Sequence, residues 1–304
     1  MRNPKWIWIL MACVAMTIPA CALPGMTAPT PIVLPTPNAT LTAIFEPTAT
    51  GAPAIVPTIA PPTTTPTPLS ATLPPAAAAT LDASKLRPNG TPVLAIRLAS
   101  PPTIDGDLAE WSSTVYPANQ IVFGSGNWTG SSDCSASYYI GWDAGALYLA
   151  VGVRDDAHVQ RATGAKLYLG DDVELQLDAN LAADYSSTSL SSDDVQLGLS
   201  AGDFAGRAPE AYRWYPSSLA GKPSGVIVKA KPTADGYILE AQIPWSVLGA
   251  TPVEGQAYGF ALSLSDNDKS GASVQQSMVS SVATRKLLNP TTWGTLVLEG
   301  SGAK

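Results

Sequence analysis

The chain has 304 residues and a formal net charge of −7, with 17 Lys and Arg against 24 Asp and Glu, one histidine and three cysteines. An acidic balance of this size argues against nucleic acid or anionic membrane as partner and leaves uncharged polymers open. With one histidine, no Gly-x-Ser-x-Gly elbow, no phosphate loop and no metal-hydrolase spacing, the chain does not read as an enzyme.

Residues 1–21 read as a secretory signal. Arg2 and Lys5 form a positive n-region, Trp6 to Met16 an apolar h-region, and Ile18-Pro19-Ala20 leads into Cys21. The apolar run is short for a membrane span. The segment resembles a bacterial lipoprotein signal, which implies a lipidated Cys21 and an extracytoplasmic, cell-surface domain. Ala20-Cys21-Ala22 also fits ordinary signal-peptidase cleavage, which implies secretion instead. Residues 22–90 read as a disordered spacer. Between Lys5 and Asp82 the only charged residue is Glu46, and Pro, Thr and Ala dominate. Such a segment has too little apolar surface to offset its ordering entropy. Its Thr-Pro steps favour polyproline II, and at ~3.1 Å per residue it reaches roughly 200 Å.

Residues 91–300 read as one all-β domain. Ile104-Asp105-Gly106-Asp107-Leu108-Ala109-Glu110-Trp111 suggests a short strand, a tight Asp-Gly turn and an aromatic anchor. Strand-like runs follow at Tyr138–Trp142, Leu147–Val153, Val173–Leu177, Val195–Leu199, Val226–Lys231, Tyr237–Ile243, Tyr258–Leu264 and Thr295–Leu298. This spacing, without helical periodicity, predicts an antiparallel β-sandwich. Only Cys134 falls in this domain, so no disulfide forms within it, and a small buried filler is the expected role. Alternation assigns the faces. Val173, Leu175 and Leu177 point to the core, while Glu174, Gln176 and Asp178 point away, and Ser263 does the same on its own strand. That polar face is either solvated surface or a ligand platform.

Between these runs, Tyr212-Arg213-Trp214-Tyr215-Pro216 reads as a loop, either a ligand platform or a cover for the core. His158 reads as a solvated loop histidine. Asp155-Asp156 and Asp266-Asn267-Asp268 are oxygen-rich clusters at strand ends that suit Ca²⁺, and such residues also favour turns on their own account.

Four ordered segments resemble the family 9 carbohydrate-binding modules of the wider DOMON-like class. They are Ile104–Trp111; Tyr139-Ile140-Gly141-Trp142-Asp143 with Arg154-Asp155-Asp156; Gly170 to Asp178; and the closing set Gly236-Tyr237, Ile243-Pro244-Trp245, Asp266-Asn267-Asp268 and Trp293-Gly294. The resemblance implies a sandwich that binds a neutral glycan without catalysis, as an accessory in polysaccharide catabolism. It implies one structural Ca²⁺, with Asp155, Asp266 and Asp268 as ligands, and no organic cofactor. Of the family's sugar clamp, Tyr168 and Glu174 occupy matching positions, and Asp171 heads the same segment. Leu287, Gly198, Ser200 and Ser263 stand where the family has a second tryptophan and hydroxyl-reading side chains. Tyr212 and Trp214 are the candidates to compensate. Trp111, Trp142, Trp245 and Trp293 belong to the framework motifs, and packing is their expected role. Two alternatives stay open: an envelope or protein-interaction sandwich that has lost the sugar site, and a haem-binding relative using His158 and Met278.

Overall fold

A computed structural model describes residues 86–300. The signal segment, Cys21 and the spacer up to residue 85 lie outside the described residues. The folded part reaches back past residue 91. Arg87 is buried, bonds Asp178 through Nη2 at 2.8 Å, and its backbone N–H donates to Thr295 Oγ1. Asn89 Nδ2 donates to the carbonyls of Thr291 and Trp293.

Thirteen strands build the domain: β1 Val93–Arg97, β2 Tyr116–Ala118, β3 Gln120–Phe123, β4 Cys134–Trp142, β5 Ala146–Asp155, β6 Asp172–Asp178, β7 Asp194–Ser200, β8 Glu210–Tyr215, β9 Ile227–Thr233, β10 Gly236–Pro244, β11 Ala257–Asp266, β12 Ser277–Ser280 and β13 Gly294–Leu298. Two one-turn helices, α1 Leu181–Asp184 and α2 Trp245–Leu248, join strands. One sheet runs β8-β7-β6-β11, and β11 then pairs both β13 and β12, with β3 beyond β12. The other runs β4-β5-β10-β9, with β2 beside β4. The two sheets are continuous through β1. Val93–Ala95 pair β13 and Ile96–Arg97 pair β4, both in parallel. Those two pairings depart from the expected antiparallel sandwich, because one strand crosses the corner and serves both sheets.

The core lies between the sheets, and alternation explains it. Val173, Leu175 and Leu177 of β6 and Leu197 and Leu199 of β7 meet Leu147, Leu149 and Val151 of β5 and Leu239 and Ile243 of β10, all buried. Truncating one such Leu to Ala costs about 2–5 kcal/mol. Cys134 is a buried, free member of this core. The framework tryptophans pack as expected. Trp111, Trp142, Trp245 and Trp293 are buried, and each indole N–H has a protein acceptor. Trp128, a loop residue, donates to the Cys134 carbonyl.

The Ile104–Trp111 segment contains no strand. It is a loop wrapped around one buried carboxylate. The backbone N–H groups of Asp105 and Gly106 donate to Glu240 Oε2 at 2.8 and 2.7 Å, and Trp111 Nε1 donates to Oε1 at 2.7 Å. Gly106 sits at φ +83°, and a Cβ there would come within 3.1 Å of the β9 backbone. The motif therefore closes the open face of β10 by satisfying a charge that burial alone would penalise.

The Tyr212–Tyr215 stretch is also not a loop. It is edge strand β8, paired to β7 through Gly198↔Tyr212 and Leu197↔Arg213.

Candidate functional site

The polar face expected on β6 exists, but it is covered rather than solvated. In register across the sheet lie Tyr212, Gly198, Glu174, Ser263, Ser280 and Gln120. In the next row, Asp172, Ser265, Met278 and Phe123 stand side by side. Glu174, Gln176, Ser263, Ser265 and Ser280 are all buried. The 3₁₀ turn Gly164–Leu169, the Trp214 ring and the segment carrying Arg285 stand over this face.

A groove of about 620 Å³ remains open between these covers. Its lining includes Tyr168, Trp214, Glu174, Gln196, Arg285 and Phe123. Tyr168 is 39 % exposed, and its ring meets Trp214 edge-on at 6.3 Å between centroids. Trp214 Nε1 donates to the Ala165 carbonyl at 2.9 Å, so the indole is tethered to the 3₁₀ turn and its ring is left for contact. Tyr212 packs beside Trp214 at 6.0 Å and supports it. Gly198 gives this ring its place: a Cβ there would come within 2.3 Å of Trp214 Cη2. The position where a relative's long side chain was expected is occupied by an indole from the neighbouring strand.

On the floor, Arg285 Nη2 donates to Glu174 Oε2 at 3.1 Å, and Gln176 Nε2 donates to the same oxygen at 3.2 Å. Arg285 Nη1 reaches Met278 Sδ at 3.0 Å. Burial pushes the Glu174 carboxyl above the usual carboxylate range, and Arg285 and Gln176 pull it part of the way back. Burial likewise lowers the Arg285 guanidinium, against the hold of Glu174. Beneath Gly198, Asp172 is fully buried and neither of its oxygens has a hydrogen-bond partner. Its carboxyl is raised well above the ordinary range by burial and then by Glu174 and Asp171, which favours the protonated acid.

The sequence candidates thus separate. Tyr168, Glu174 and Trp214 line one groove, with Tyr212 behind them. Asp171 is elsewhere. It is buried at the end of β6, accepts from the Val159 and Asn267 backbone N–H groups, and lies 3.3 Å from His158 Nδ1. The reason is parity: Asp171 is one residue out of phase with Asp172 and Glu174, so it leaves the groove face. Leu287 does line the groove, 43 % exposed at its rim. Arg285, Gln196, Gln275 and Phe123 line it as well, although none carries a motif.

His158 is held rather than solvated. Nε2 lies 2.8 Å from the Gly202 carbonyl, and Nδ1 faces Asp155 and Asp171 at 3.5 and 3.3 Å. Burial opposes the charged ring, but the two carboxylates outweigh it and hold the imidazole up at about 10. His158 and Met278 line different cavities, and their nitrogen and sulfur atoms already face protein partners.

The acidic strand ends converge nearby. Carboxylate oxygens of Asp133, Asp266 and Asp268 lie within 4.8 Å of one another, and so do those of Asp155, Asp156 and Asp268. Burial raises Asp266 to about 7 and Asp268 to about 6, with neighbouring carboxylates adding to both. Asp268 Oδ1 is buried without a hydrogen-bond partner. An all-oxygen donor set with an orphaned carboxylate oxygen fits a hard cation such as Ca²⁺.

Residues 104–301 match the carbohydrate family 9 binding domain-like pattern. The chain belongs to that family. Two solved structures of a carbohydrate binding module family 9 from Caldicellulosiruptor kristjanssonii share the fold. The one in complex with cellotriose is 23 % identical, with a TM-score of 0.53, over 69 % of this chain and 94 % of that one. The one in complex with glucose is 24 % identical, with a TM-score of 0.52, over 68 % and 96 %. No curated protein matches the chain. The family is one of carbohydrate-binding domains. The groove is lined by Tyr168, Trp214, Phe123 and Leu287.

Proposed function

We propose that this family 9 domain binds a neutral glycan in the groove and leaves any cleavage of it to a separate enzyme. The observation that carries the reading is an aromatic wall lining the groove, exposed Tyr168 and half-buried Trp214, standing over a Glu174–Arg285 pair whose charges cancel. The apolar face of a pyranose packs on an aromatic ring, while its hydroxyls both donate and accept. Gln196 and Gln275 offer the same mixed capacity at the groove wall. Family membership and the sugars named in the two solved relatives support the ligand class. Retention on at least one insoluble polysaccharide, released by its soluble fragments, is the expected result. No retention on cellulose, xylan, mannan or chitin would contradict the reading.

Asp155, Asp266 and Asp268, with Asp133 and Asp156 in reach, would hold one structural Ca²⁺. The ion would neutralise carboxylates that otherwise repel and would fix the ends of β5 and β11. Cys21 as a lipid anchor and residues 22–85 as a spacer would present the domain away from a bacterial membrane. A Cys21→Ser variant that still partitions with membranes would overturn the anchor.

Phe123, Leu287 and Leu288, all exposed, favour a second reading, an envelope sandwich that docks a protein. Under it, Trp214→Ala has no effect on polysaccharide retention.

A further inference from the structure

Phe123 is the feature that a single-sugar site leaves unexplained. It is 52 % exposed at the end of β3, and Leu287 lines the same groove, also half-exposed. Its position is built. Gly124 follows at φ +67° and packs so closely on β12 that a Cβ would fall 2.0 Å from the Gln276 carbonyl oxygen. Asn127 Nδ2 donates to that same carbonyl at 2.8 Å. Met278↔Phe123 pairing then sets the ring on the groove face, in the row of Asp172 and Ser265.

Trp214 and Phe123 stand on the two outer strands of this half of the sheet. From β8 through β7, β6, β11 and β12 to β3 there are five strand-to-strand steps. At ~4.8 Å per step the backbone between the outer strands spans about 24 Å, of which about 19 Å lies beyond β7, where the Trp214 ring sits over Gly198. That width exceeds one pyranose ring several times over. Between the two aromatics the floor is buried and mixed: Gln196 on β7, Glu174 on β6 and Ser265 on β11 are polar, and Met278 on β12 is apolar.

We infer that the groove takes a linear run of consecutive sugar units laid across the strands, with Phe123 as the platform for a unit remote from Trp214. This inference rests on the glycan reading above and extends it from one ring to a chain. The ligand is a neutral, unbranched polysaccharide segment, and its affinity is distributed along the groove rather than concentrated on one terminal unit. Each aromatic contact of this kind contributes up to about tenfold in affinity.

Calorimetric titration with cello-, xylo- and manno-oligosaccharide ladders, from one to six units, tests it. For at least one ladder, affinity should rise by about tenfold or more between one and four units and then level off. Borohydride reduction of the terminal unit should leave the longer members bound. Phe123→Ala should cut the gain between one and four units to about threefold, and Phe123→Trp should restore it. Thermal melts check that Phe123→Ala is folded, as its half-exposed side chain leads one to expect. A ladder that binds equally at every length, binding lost on reduction of the end, or a Phe123→Ala ladder identical to wild type overturns the inference and leaves the glycan reading standing. Failure of every ladder together with failure to hold any polysaccharide removes both.

Discussion

Trp214 occupies space that Gly198 leaves empty. A methyl group at residue 198 would lie 2.3 Å from Cη2 and 2.7 Å from Cζ3 of the indole, and 2.9 Å from Asp172 Oδ2. No van der Waals contact is that short, so the indole would have to swing out and release the Ala165 carbonyl. Gly198→Ala should therefore weaken glycan binding by about tenfold or more and shift tryptophan fluorescence. The melting temperature should move by only a few degrees, since the change lies outside the core. Wild-type affinity in this variant would mean that Trp214 is not the platform.

Arg285 and Glu174 form a buried pair, so removing one partner strands the other. Arg285→Met should destabilise the domain by about 3–5 kcal/mol at neutral pH. Burial already holds the Glu174 carboxyl above its unfolded value, and loss of Arg285 raises it further. The folded state of the variant then binds the Glu174 proton more tightly than the unfolded state. Its deficit should shrink as pH falls through that raised value and grow as pH rises. Glu174→Gln in the same background should recover part of the loss. Urea unfolding at pH 5 and pH 8 measures both effects.

A second carboxylate cluster predicts the opposite of ordinary acid denaturation. Asp194 is fully buried, with Oδ1 unpartnered beside Asp178, Asp184 and Asp193. Burial first, then those neighbours, raises it from 3.8 to about 7. A raised carboxyl contributes stability that is complete below the unfolded value and lost as pH rises through the folded one. With EDTA present, Asp194→Asn should stabilise the protein at pH 8 by roughly 1–3 kcal/mol and have little effect at pH 4. An equal effect at both pH values would contradict the assignment.

Calcium should raise the melting temperature by several degrees over EDTA, since a ligand at a hundredfold its Kd adds about 2.7 kcal/mol to folding. Asp268→Asn should abolish that difference. A wild-type melt unchanged by chelation would remove the proposed ion.

Legibility in the sequence followed the range of the forces involved. The alternation in Val173–Asp178 and Tyr237–Ile243 is local, and β6 and β10 formed where it predicts. Parity alone separates Glu174 from Asp171, although both sit in one acidic segment. Strand β8 was hidden because Tyr212-Arg213-Trp214-Tyr215 has no apolar alternation. It pairs as an edge and presents its rings to β7. Arg285 was hidden because its partner lies 111 residues away and no motif marks a long-range ion pair. Phe123 carries no pattern until β12 places it in the row of Met278. The Ile104–Trp111 motif was legible as framework, yet its purpose, enclosing Glu240, emerges only with β10 in place.

The most direct test is a glycan array probed side by side with wild type and Trp214→Ala, each shown by circular dichroism to be folded. The account predicts wild-type binding to one class of neutral, unbranched glycan and its loss in the variant. A folded wild type that binds no glycan, or a variant that binds as well as wild type, would contradict it.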